Sequence, residues 1–416
     1  MNLILFEDEQ VEQLAPITHG RPAYAIGCGG ARLIELLAEL GCEPARCAVR
    51  PHLQAVEQAN SRALFAADDS LEGRTLLVNA RLVPSVGALG MLRQLMNSDR
   101  DAALLSGASV AAAWVDGGTL AARRDRDGAA LAGAVQRMKL PATGELPLLE
   151  HPHDIIRYHL QSLRENLEHR ARGGFRQLSD GLFVGDDVQI GPHLVTDTRD
   201  GPILLDAASS LGPFCYLRGP AYVGRGARLI EHAVLKDGVT VGERCKIGGE
   251  VEASIVEPLS NKQHHGYLGH SYVGSWVNLG AGTSNSDLKN TYGPVTLDYG
   301  GRKVQSGMQL VGCFVGDYAK TAINSSIYTG KTIGVCSMVY GVVTTPVPSF
   351  ANYARSLGQV TELPAAVATA MQARMFARRG IEQRPCDIQL LHDMHQRTQA
   401  ERDNYGEPLS TEPPRL

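Results

Sequence analysis

The chain has 416 residues, a formal net charge of −4 and a 20% share of charged residues. This length predicts two or three folded domains, and the mild net charge gives no indication of a nucleic-acid or anionic-membrane partner. No apolar run approaches the ~18 residues of a membrane span, and no secretory signal is visible. Eight cysteines without C-x-x-C spacing predict neither a disulfide framework nor a zinc site, so we expect a reduced, cytoplasmic protein.

Residues 1–150 predict an α/β domain, because short apolar segments alternate with helical patterns. The predicted strands are 3–6, 74–83, 102–105 and 110–115, and the predicted helices are 31–40 and 86–96. The segment IGCGG (26–30) has the glycine content of a phosphate-binding loop before a helix. Taken alone, this pattern favours a tight strand-to-helix turn.

Two helical regions flank the middle of the chain. Residues 151–174 predict a linking helix that begins at Asp154 and carries one apolar stripe. Residues 351–416 predict two helices, 361–379 and 387–402, followed by a disordered tail from Tyr405.

The middle of the chain is rich in glycine, with 26 of the 45 glycines between residues 181 and 345. Aliphatic residues recur there every six positions: Leu211, Leu217, Val223, Leu229, Leu235, Val241 and Ile247. This period fits coils of three short strands, with one aliphatic side chain per hexad pointing inward. Glycine at the corners would supply positive φ and close backbone approach. Residues 181–350 therefore predict a left-handed parallel β-helix, whereas an antiparallel sandwich would need period-two alternation.

The six-residue register is broken twice. The first break is EPLSNKQHHG (257–266), and the second is the long polar excursion at residues 284–307. Loops that leave a repeat scaffold are frequent places for function, so we expect the site at these breaks.

The stretch HHGYLGHSYVGSWVNLGAGT (264–283) resembles the acetyltransferase half of the bifunctional N-acetylglucosamine-1-phosphate uridyltransferase/glucosamine-1-phosphate acetyltransferase family. That family carries a His-x-x-Tyr-Leu-Gly step and a Val-Asn-Ile-Gly-Ala-Gly-Thr step. SNKQHHGYLG, VNLGAGTSNSDLKNTYGPV and GDYAKTAIN are more similar to a divergent branch of sugar nucleotidyltransferase-like proteins with hexapeptide domains. The resemblance covers about residues 183–350 and extends more weakly to the N-terminus through RPAYAIG and VNARLVP.

The resemblance implies roles for single residues of the β-helix. His264 corresponds to the catalytic base that takes a proton from the attacking amine, a role that suits an imidazole. The implied substrate-binding residues are Arg218, Tyr267, Asn278 and Lys289. The implied acetyl-CoA groove runs along the backbone at Ala281, Gly282 and Cys313.

The N-terminal domain departs from the family's nucleotide-binding signature. A Leu-x-x-Gly-x-Gly-Thr-Arg loop should follow the first strand, but the sequence there reads FEDEQVEQ. Ala23 replaces the lysine expected after Arg21-Pro22, and VNARLVP lacks the expected Mg²⁺-binding Asp. The resemblance therefore implies a nucleotidyltransferase-like α/β fold, and activity there would require Mg²⁺. Arg21, Asn79 and Arg81 are the candidate pocket residues of this domain.

Together these features predict an acetyl-CoA-dependent N-acetyltransferase acting on an amino-sugar phosphate or a nucleotide-sugar. We expect a homotrimer without nucleic-acid or membrane partners. One alternative is a sugar-1-phosphate nucleotidyltransferase whose activity lies in the N-terminal domain. A second is a zinc carbonic-anhydrase-like β-helix, because His232, His265 and His270 could supply three imidazoles across a subunit interface. The third is a binding or regulatory relic without catalysis.

Overall fold

The computed structural model describes residues 2–61, 73–117, 128–405 and 409. The N-terminal part is a six-stranded mixed sheet with helices on both faces. In spatial order its strands are Glu43–Ala48, Asn2–Phe6, Arg74–Asn79, Ser109–Asp116, Ala102–Ser106 and Ala142–Glu145. The strand Asn2–Phe6 pairs in parallel with both of its neighbours, and its residues Leu3 and Leu5 are part of the main core. The α/β prediction is therefore confirmed.

Eight α-helices and four 3-10 helices lie in the described ranges. The α-helices are Leu33–Leu37, Pro51–Asn60, Val86–Met96, Gly128–Arg137, Pro152–Arg170, Ala365–Ala377, Pro385–Arg397 and Gln399–Asp403. The 3-10 helices are Glu9–Leu14, Ala23–Ala25, Ala38–Leu40 and Arg355–Leu357. No helix of the described chain combines the length and hydropathy that a membrane crossing requires.

The IGCGG segment is a tight turn packed against the helix Pro152–Arg170, which we call the junction helix. A short hairpin pairs Gly27–Cys28 with Ala31–Arg32. The Gly29 amide donates to Nδ1 of His159 at 3.0 Å, and the Gly29 carbonyl accepts from Asn166 at 2.9 Å. Gly29 has φ +59°, and an added Cβ would lie 2.2 Å from Oγ of Ser162. Because protein groups already bond this amide, the phosphate-loop alternative is disfavoured and the turn interpretation holds.

Residues 182–354 form a triangular β-helix with three parallel faces. Regular coils have 18 residues, so Ile203 pairs with Ala221 and Arg228 with Lys246. The first face contains Leu182–Val184, Ile203–Leu205, Ala221–Val223, Val239–Val241, Ile255–Val256, Tyr272–Val273, Phe314–Val315 and Thr332–Ile333, with Arg176–Ser179 antiparallel at its start. The second contains Gln189–Ile190, Ser210–Leu211, Arg228–Leu229, Lys246–Ile247, Asn261–Lys262, Lys320–Thr321, Met338–Val339, Ala351–Ala354 and the antiparallel Gln359–Glu362. The third contains Val195–Asp197, Tyr216–Arg218, Val234–Lys236, Glu250–Glu252, Tyr267–Gly269, Ser284–Asn285, Ser326–Ile327 and Val342–Val343.

The left-handed β-helix prediction is confirmed, with one correction to the role of its glycines. All seven hexad aliphatics are buried in a single core cluster. The positive-φ corners of the early coils are occupied by residues such as Phe214 (φ +61°) and His232 (φ +61°). Gly212 and Gly242 are instead required for close approach, because a Cβ would lie 2.6 Å and 2.5 Å from the next coil's backbone nitrogens.

The excursion at residues 284–307 attaches the β-helix to the N-terminal domain. Its hairpin pairs Thr296–Tyr299 with Arg302–Gln305. Val295 and Leu297 are buried in the N-terminal core, and the hydroxyl of Tyr299 lies 2.9 Å from Nδ1 of His153 on the junction helix. The alternate apolar residues of this hairpin therefore serve a domain contact, and a functional role for the excursion stays a prediction.

The C-terminal region returns to both domains. The predicted helix at 361–379 begins later, because Gln359–Glu362 pairs antiparallel with Ala351–Ala354 as a final strand. Ala365–Ala377, which we call the groove helix, crosses the second face. Pro385–Arg397 packs against Pro51–Asn60 of the N-terminal domain. The predicted disordered tail lies almost entirely outside the described residues.

A buried ion cluster joins the two domains. Arg21 forms an ion pair with Asp317, lies 3.2 Å from Oε2 of Glu257, and donates to Ser275 at 2.9 Å. Arg32 also reaches Glu257, at 3.3 Å. Burial opposes the charge of Glu257, but the two arginines hold the pKa of its carboxyl below its ordinary value. The cluster therefore fixes the N-terminal loop against the first and second faces.

Candidate functional site

A groove of about 870 Å³ lies between the second face of the β-helix and the groove helix. Five cationic side chains line it: Arg244, Lys246, Lys320, Arg378 and Arg379. Of the described residues that line it, none is an aspartate or glutamate. The groove therefore presents concentrated positive charge in a chain whose net charge is negative.

The groove cations destabilise one another in the absence of an anion. Burial lowers the pKa of Lys246, and Arg379, Arg228 and Arg378 lower it further by repulsion. Burial and the charge of Arg244 lower the pKa of Arg379. A polyanionic ligand would relieve this repulsion, so the electrostatics favour phosphate groups over a neutral ligand.

The groove helix is held on the coil by aromatic and guanidinium contacts. Trp276 stacks on Phe376 with ring centroids 4.5 Å apart. Arg379 donates to the carbonyl of Arg244 at 3.2 Å and to Oδ1 of Asn261 at 2.9 Å, while Arg244 donates to the carbonyl of Arg379 at 2.8 Å. These contacts place the arginines along the groove wall.

Three of the predicted site residues line this groove together: His264, Asn278 and Ala281. His264 is exposed at the corner between the second and third faces, two residues after the end of the strand Asn261–Lys262. Asn278 lies on the next coil, where its Oδ1 accepts from Asn261 at 3.4 Å. Gly282 follows Ala281 at the same corner with φ +76°, and a Cβ there would meet Asn324 at 2.1 Å.

Tyr267 lies on the third face and does not line the groove. Its hydroxyl donates to Asp287 at 2.7 Å, and Nδ1 of His270 lies 2.8 Å from the same Asp287 oxygen. Burial and the bond to Asp287 raise the pKa of Tyr267 well above its ordinary value. This phenol is therefore a neutral donor held beside His270 and the nearby Glu252.

The other substrate and cofactor candidates lie apart from the groove. Arg218 is paired with Asp200 at 2.6 Å and with Asp237 at 3.0 Å on the third face. Lys289 donates to the carbonyl of Pro294 within its own loop at 2.9 Å. Cys313 is buried inside the coil, and burial raises the pKa of its thiol to about 11. Cys313 is not among the residues that line the groove, and the role of its backbone in binding acetyl-CoA stays a prediction.

The three N-terminal candidates do not share a pocket. Arg81 is fully buried, donating to both oxygens of Asp8 at 2.7 and 2.6 Å, and Asn79 donates to Asp8 at 2.8 Å. Arg21 lies instead in the domain junction. A small cavity at this edge of the sheet is lined by Glu7, Asp8, Glu9, Val11, Glu12, Arg50, Gly128 and Ala129. The pocket expected around Arg21, Asn79 and Arg81 is therefore replaced by internal ion pairs.

The histidines of the zinc alternative are separated within one chain. His232 stacks on Phe214 with centroids 5.2 Å apart, whereas His270 bonds Asp287. Across the described ranges, no group of three metal-ligating side chains is placed to hold an ion.

Sequence reasoning missed the cations and the aromatic pair of the groove. Lys246 and Arg244 precede the broken register, and Arg378-Arg379 end a helix more than 130 residues later. The only sequence feature that pointed to these cations was the doublet Arg378-Arg379 at the end of a helix, and the doublet alone does not indicate which segment of the chain it contacts.

Comparison with known proteins supports the resemblance derived from the sequence. Residues 3–173 match the family model described as sugar nucleotidyl transferase. The bifunctional protein GlmU of Alkalilimnicola ehrlichii is 28% identical over 268 residues, covering 60% of this chain and 53% of the relative. A bifunctional sugar-1-phosphate nucleotidylyltransferase/acetyltransferase of Sulfurisphaera tokodaii is 34% identical over 100 residues, covering 24% of this chain and 25% of the relative. The predicted resemblance is confirmed, although the chain spans about half or less of these relatives.

One solved structure overlaps with part of this chain. The UDP-N-acetylglucosamine acyltransferase of Francisella novicida aligns with 49% of this chain and 71% of its own, at 14% identity and a TM-score of 0.31. A TM-score this low supports no conclusion about function.

Proposed function

We propose that this chain is an acetyl-CoA-dependent N-acetyltransferase that acts on an amino-sugar phosphate or a nucleotide-sugar. The observation that carries the proposal is that His264 borders a groove with five cations and no carboxylate among its described lining. The sequence around His264 has the family's acetyltransferase pattern, and the chain is similar to bifunctional proteins of that class. The proposed general base, His264, therefore lies in the same groove as the five cations that would bind an anionic ligand.

Acetyl-CoA fits the chemistry of the groove in two ways. Its phosphates are polyanionic and match Arg244, Lys246 and Arg379, which have no carboxylate partner in the groove. Its apolar pantetheine arm matches Leu259 and Met375, which also line the cavity. A groove of about 870 Å³ falls within the ~300–1,000 Å³ typical of small-molecule sites.

The transfer reaction requires one proton to move between two heavy atoms. The amine nitrogen of the sugar attacks the thioester carbon, the new C–N bond forms, and the C–S bond breaks to release the CoA thiolate. His264 accepts the proton that the nitrogen loses and returns it to the sulfur leaving group. Asn278 also lines this groove, which supports the proposal that its amide orients the acceptor by hydrogen bonding.

A homotrimer would complete the site from a neighbouring copy. The junction helix packs on the first face through Leu163 and Leu167, and the groove helix crosses the second. The third face carries the exposed apolar residues Val195, Tyr328 and Val342. His264 lies at the corner of that face, so a copy packed there would bring its own residues beside the groove. Arg218, Tyr267 and Lys289 keep their predicted substrate roles only within such an assembly.

The N-terminal domain is proposed to serve as a scaffold rather than a second active site. Its family resemblance favours sugar-1-phosphate nucleotidyl transfer, which needs Mg²⁺. The residues present do not fit that ion, because Asp8 is bonded by Arg81 and Asn79, and Glu7 is bonded by Arg50 and the Ala23 amide. Use of acetyl-CoA would also place the protein in the cytoplasm.

The direct test compares two neighbouring histidines in acetyl transfer from acetyl-CoA to glucosamine 1-phosphate. We expect His264→Ala to lower kcat by about 100-fold, the usual contribution of a general base. His265→Ala is the matched control, since His265 does not line the groove. Equal rates for wild type and His264→Ala on every amino sugar would contradict the mechanism. Pyrophosphate release from a sugar phosphate and a nucleoside triphosphate would instead support the nucleotidyltransferase alternative.

A further inference from the structure

A lysine occupies an inward position of the β-helix directly before the His264 corner. Lys262 pairs with Ile247 of the preceding coil and lies level with Leu279 of the following one. Both neighbours are buried aliphatics, and Lys262 itself is only 2% exposed. Burial lowers the pKa of its ammonium to about 8. An aliphatic residue at this position would continue the hexad pattern without that electrostatic cost.

The ammonium of Lys262 satisfies two backbone carbonyls of the corner. It donates to the Gly248 carbonyl at 2.9 Å and to the His264 carbonyl at 3.0 Å. Neighbouring carbonyls accept backbone amides instead, as Gly249 does from Val234 and His265 does from Gly282. In the part of the chain that the structure describes, Lys262 is the only donor to either of its two carbonyls.

These contacts fix the two peptide groups that follow His264 along the chain. The His264 carbonyl is drawn into the coil by Lys262, and the His265 carbonyl is held by the Gly282 amide at 3.0 Å. With both carbonyls directed inward or along the coil, the His264 side chain is left exposed at the groove. Among the described residues no side chain hydrogen-bonds the exposed imidazole, so the bond from Lys262 to the His264 carbonyl is the contact that anchors this residue.

We propose that Lys262 is a positioning residue for acetyl transfer, which holds the His264 corner in its productive geometry from inside the β-helix. This inference rests on the proposed function, because it assigns Lys262 to the base of that reaction. It explains why a charged residue occupies a core position: replacing it with an aliphatic side chain would leave two carbonyls without donors.

The test is a double-mutant cycle in the full chain. We expect Lys262→Met to lower kcat by about tenfold or more while changing KM for acetyl-CoA by less than about threefold, since only transition-state alignment is lost. Lys262→Met should have little further effect in a His264→Ala background, because its action passes through His264. Lys262→Gln, which restores amide donors without charge, should recover part of the rate.

The control is Leu229→Ala, which removes a core side chain from the same face two coils earlier. This variant should lose stability but keep kcat, whereas a purely structural role for Lys262 would make the two variants behave alike. The proposal is overturned if Lys262→Met slows His264→Ala by the same factor as it slows wild type. If Lys262→Met does not fold, the same cycle with Lys262→Gln decides the matter. Equal activity of wild type and His264→Ala would refute the proposed function instead, so the two failures are distinguishable.

Discussion

The domain junction provides a prediction whose size follows from burial. Arg21 is 8% exposed, forms an ion pair with Asp317 and lies 3.2 Å from Glu257. Arg21→Met would leave both carboxylates buried, and the only cation still paired with Glu257 among the described residues would be the partly exposed Arg32. Removing one partner of a buried pair typically costs about 3–5 kcal/mol. We expect a loss of this size in the free energy of unfolding of the junction.

Urea unfolding followed by tryptophan fluorescence can locate this loss. The chain has two tryptophans, Trp114 in the N-terminal sheet and Trp276 in the β-helix, so Trp114→Phe leaves a reporter in the β-helix alone. Arg32→Met is the matched control; its side chain is 32% exposed and touches Glu257 at 3.3 Å, so we expect about 1 kcal/mol or less.

A second variant separates lost attraction from an orphaned charge. Arg21→Met combined with Asp317→Asn should be more stable than Arg21→Met alone, because one uncompensated carboxylate is removed while its bond from the Ser275 amide can persist. The reasoning is refuted if Arg21→Met lies within about 1 kcal/mol of wild type, or if its loss equals that of Arg32→Met.

Two further predictions concern the lysines and the groove. The folded-state pKa of Lys262 is about 8 against an ordinary 10.5, so the unfolded chain binds more protons between these values and stability rises with pH across this window. Lys320 contributes in the same direction, its pKa also being lowered to about 8 by burial. The measurement is the free energy of unfolding from urea melts at pH 8 and at pH 10.5. The increase between these two pH values should be about 3 kcal/mol smaller in Lys262→Met than in wild type, and an equal increase in both would contradict the burial argument. For the groove, we expect Lys246→Gln and Arg379→Gln each to weaken acetyl-CoA binding about tenfold by calorimetry and to reduce its salt dependence. The control is Arg199→Gln, which changes an exposed arginine on the third face. If the groove variants bind acetyl-CoA as tightly as wild type, the cofactor binds elsewhere.

The sequence alone was sufficient for the β-helix, because one inward aliphatic per hexad is a local requirement of each coil. Leu229 and Ile247 could be assigned to the core without any knowledge of their neighbours. His264, Asn278 and Ala281 were found through a resemblance, and the structure brings them to one groove. Their spacing along the chain follows the coil, so a sequence pattern could predict their proximity.

The rest of the site depends on contacts between distant segments. Arg379 reaches Arg244 only because the groove helix folds back over the second face. In the sequence, Lys262 lies in the polar segment SNKQHHG and would be predicted to be a surface lysine. Its inward orientation follows only from the register of the coil, in which it pairs with Ile247. Arg21 was expected in a nucleotide pocket, yet its carboxylate partner Asp317 lies almost 300 residues away in the β-helix. Such pairings have no local signature.

The central claim is that the groove beside His264 binds acetyl-CoA and delivers its acetyl group to a sugar amine. The most direct measurement incubates the full wild-type chain with ¹³C-acetyl-CoA and a panel of amino-sugar phosphates and nucleotide-sugars, and identifies products by mass spectrometry. The account predicts a labelled acetamide on the sugar nitrogen with one equivalent of free CoA thiol, both lost in His264→Ala. Label on no amine of the panel, or label that persists in His264→Ala, would contradict it.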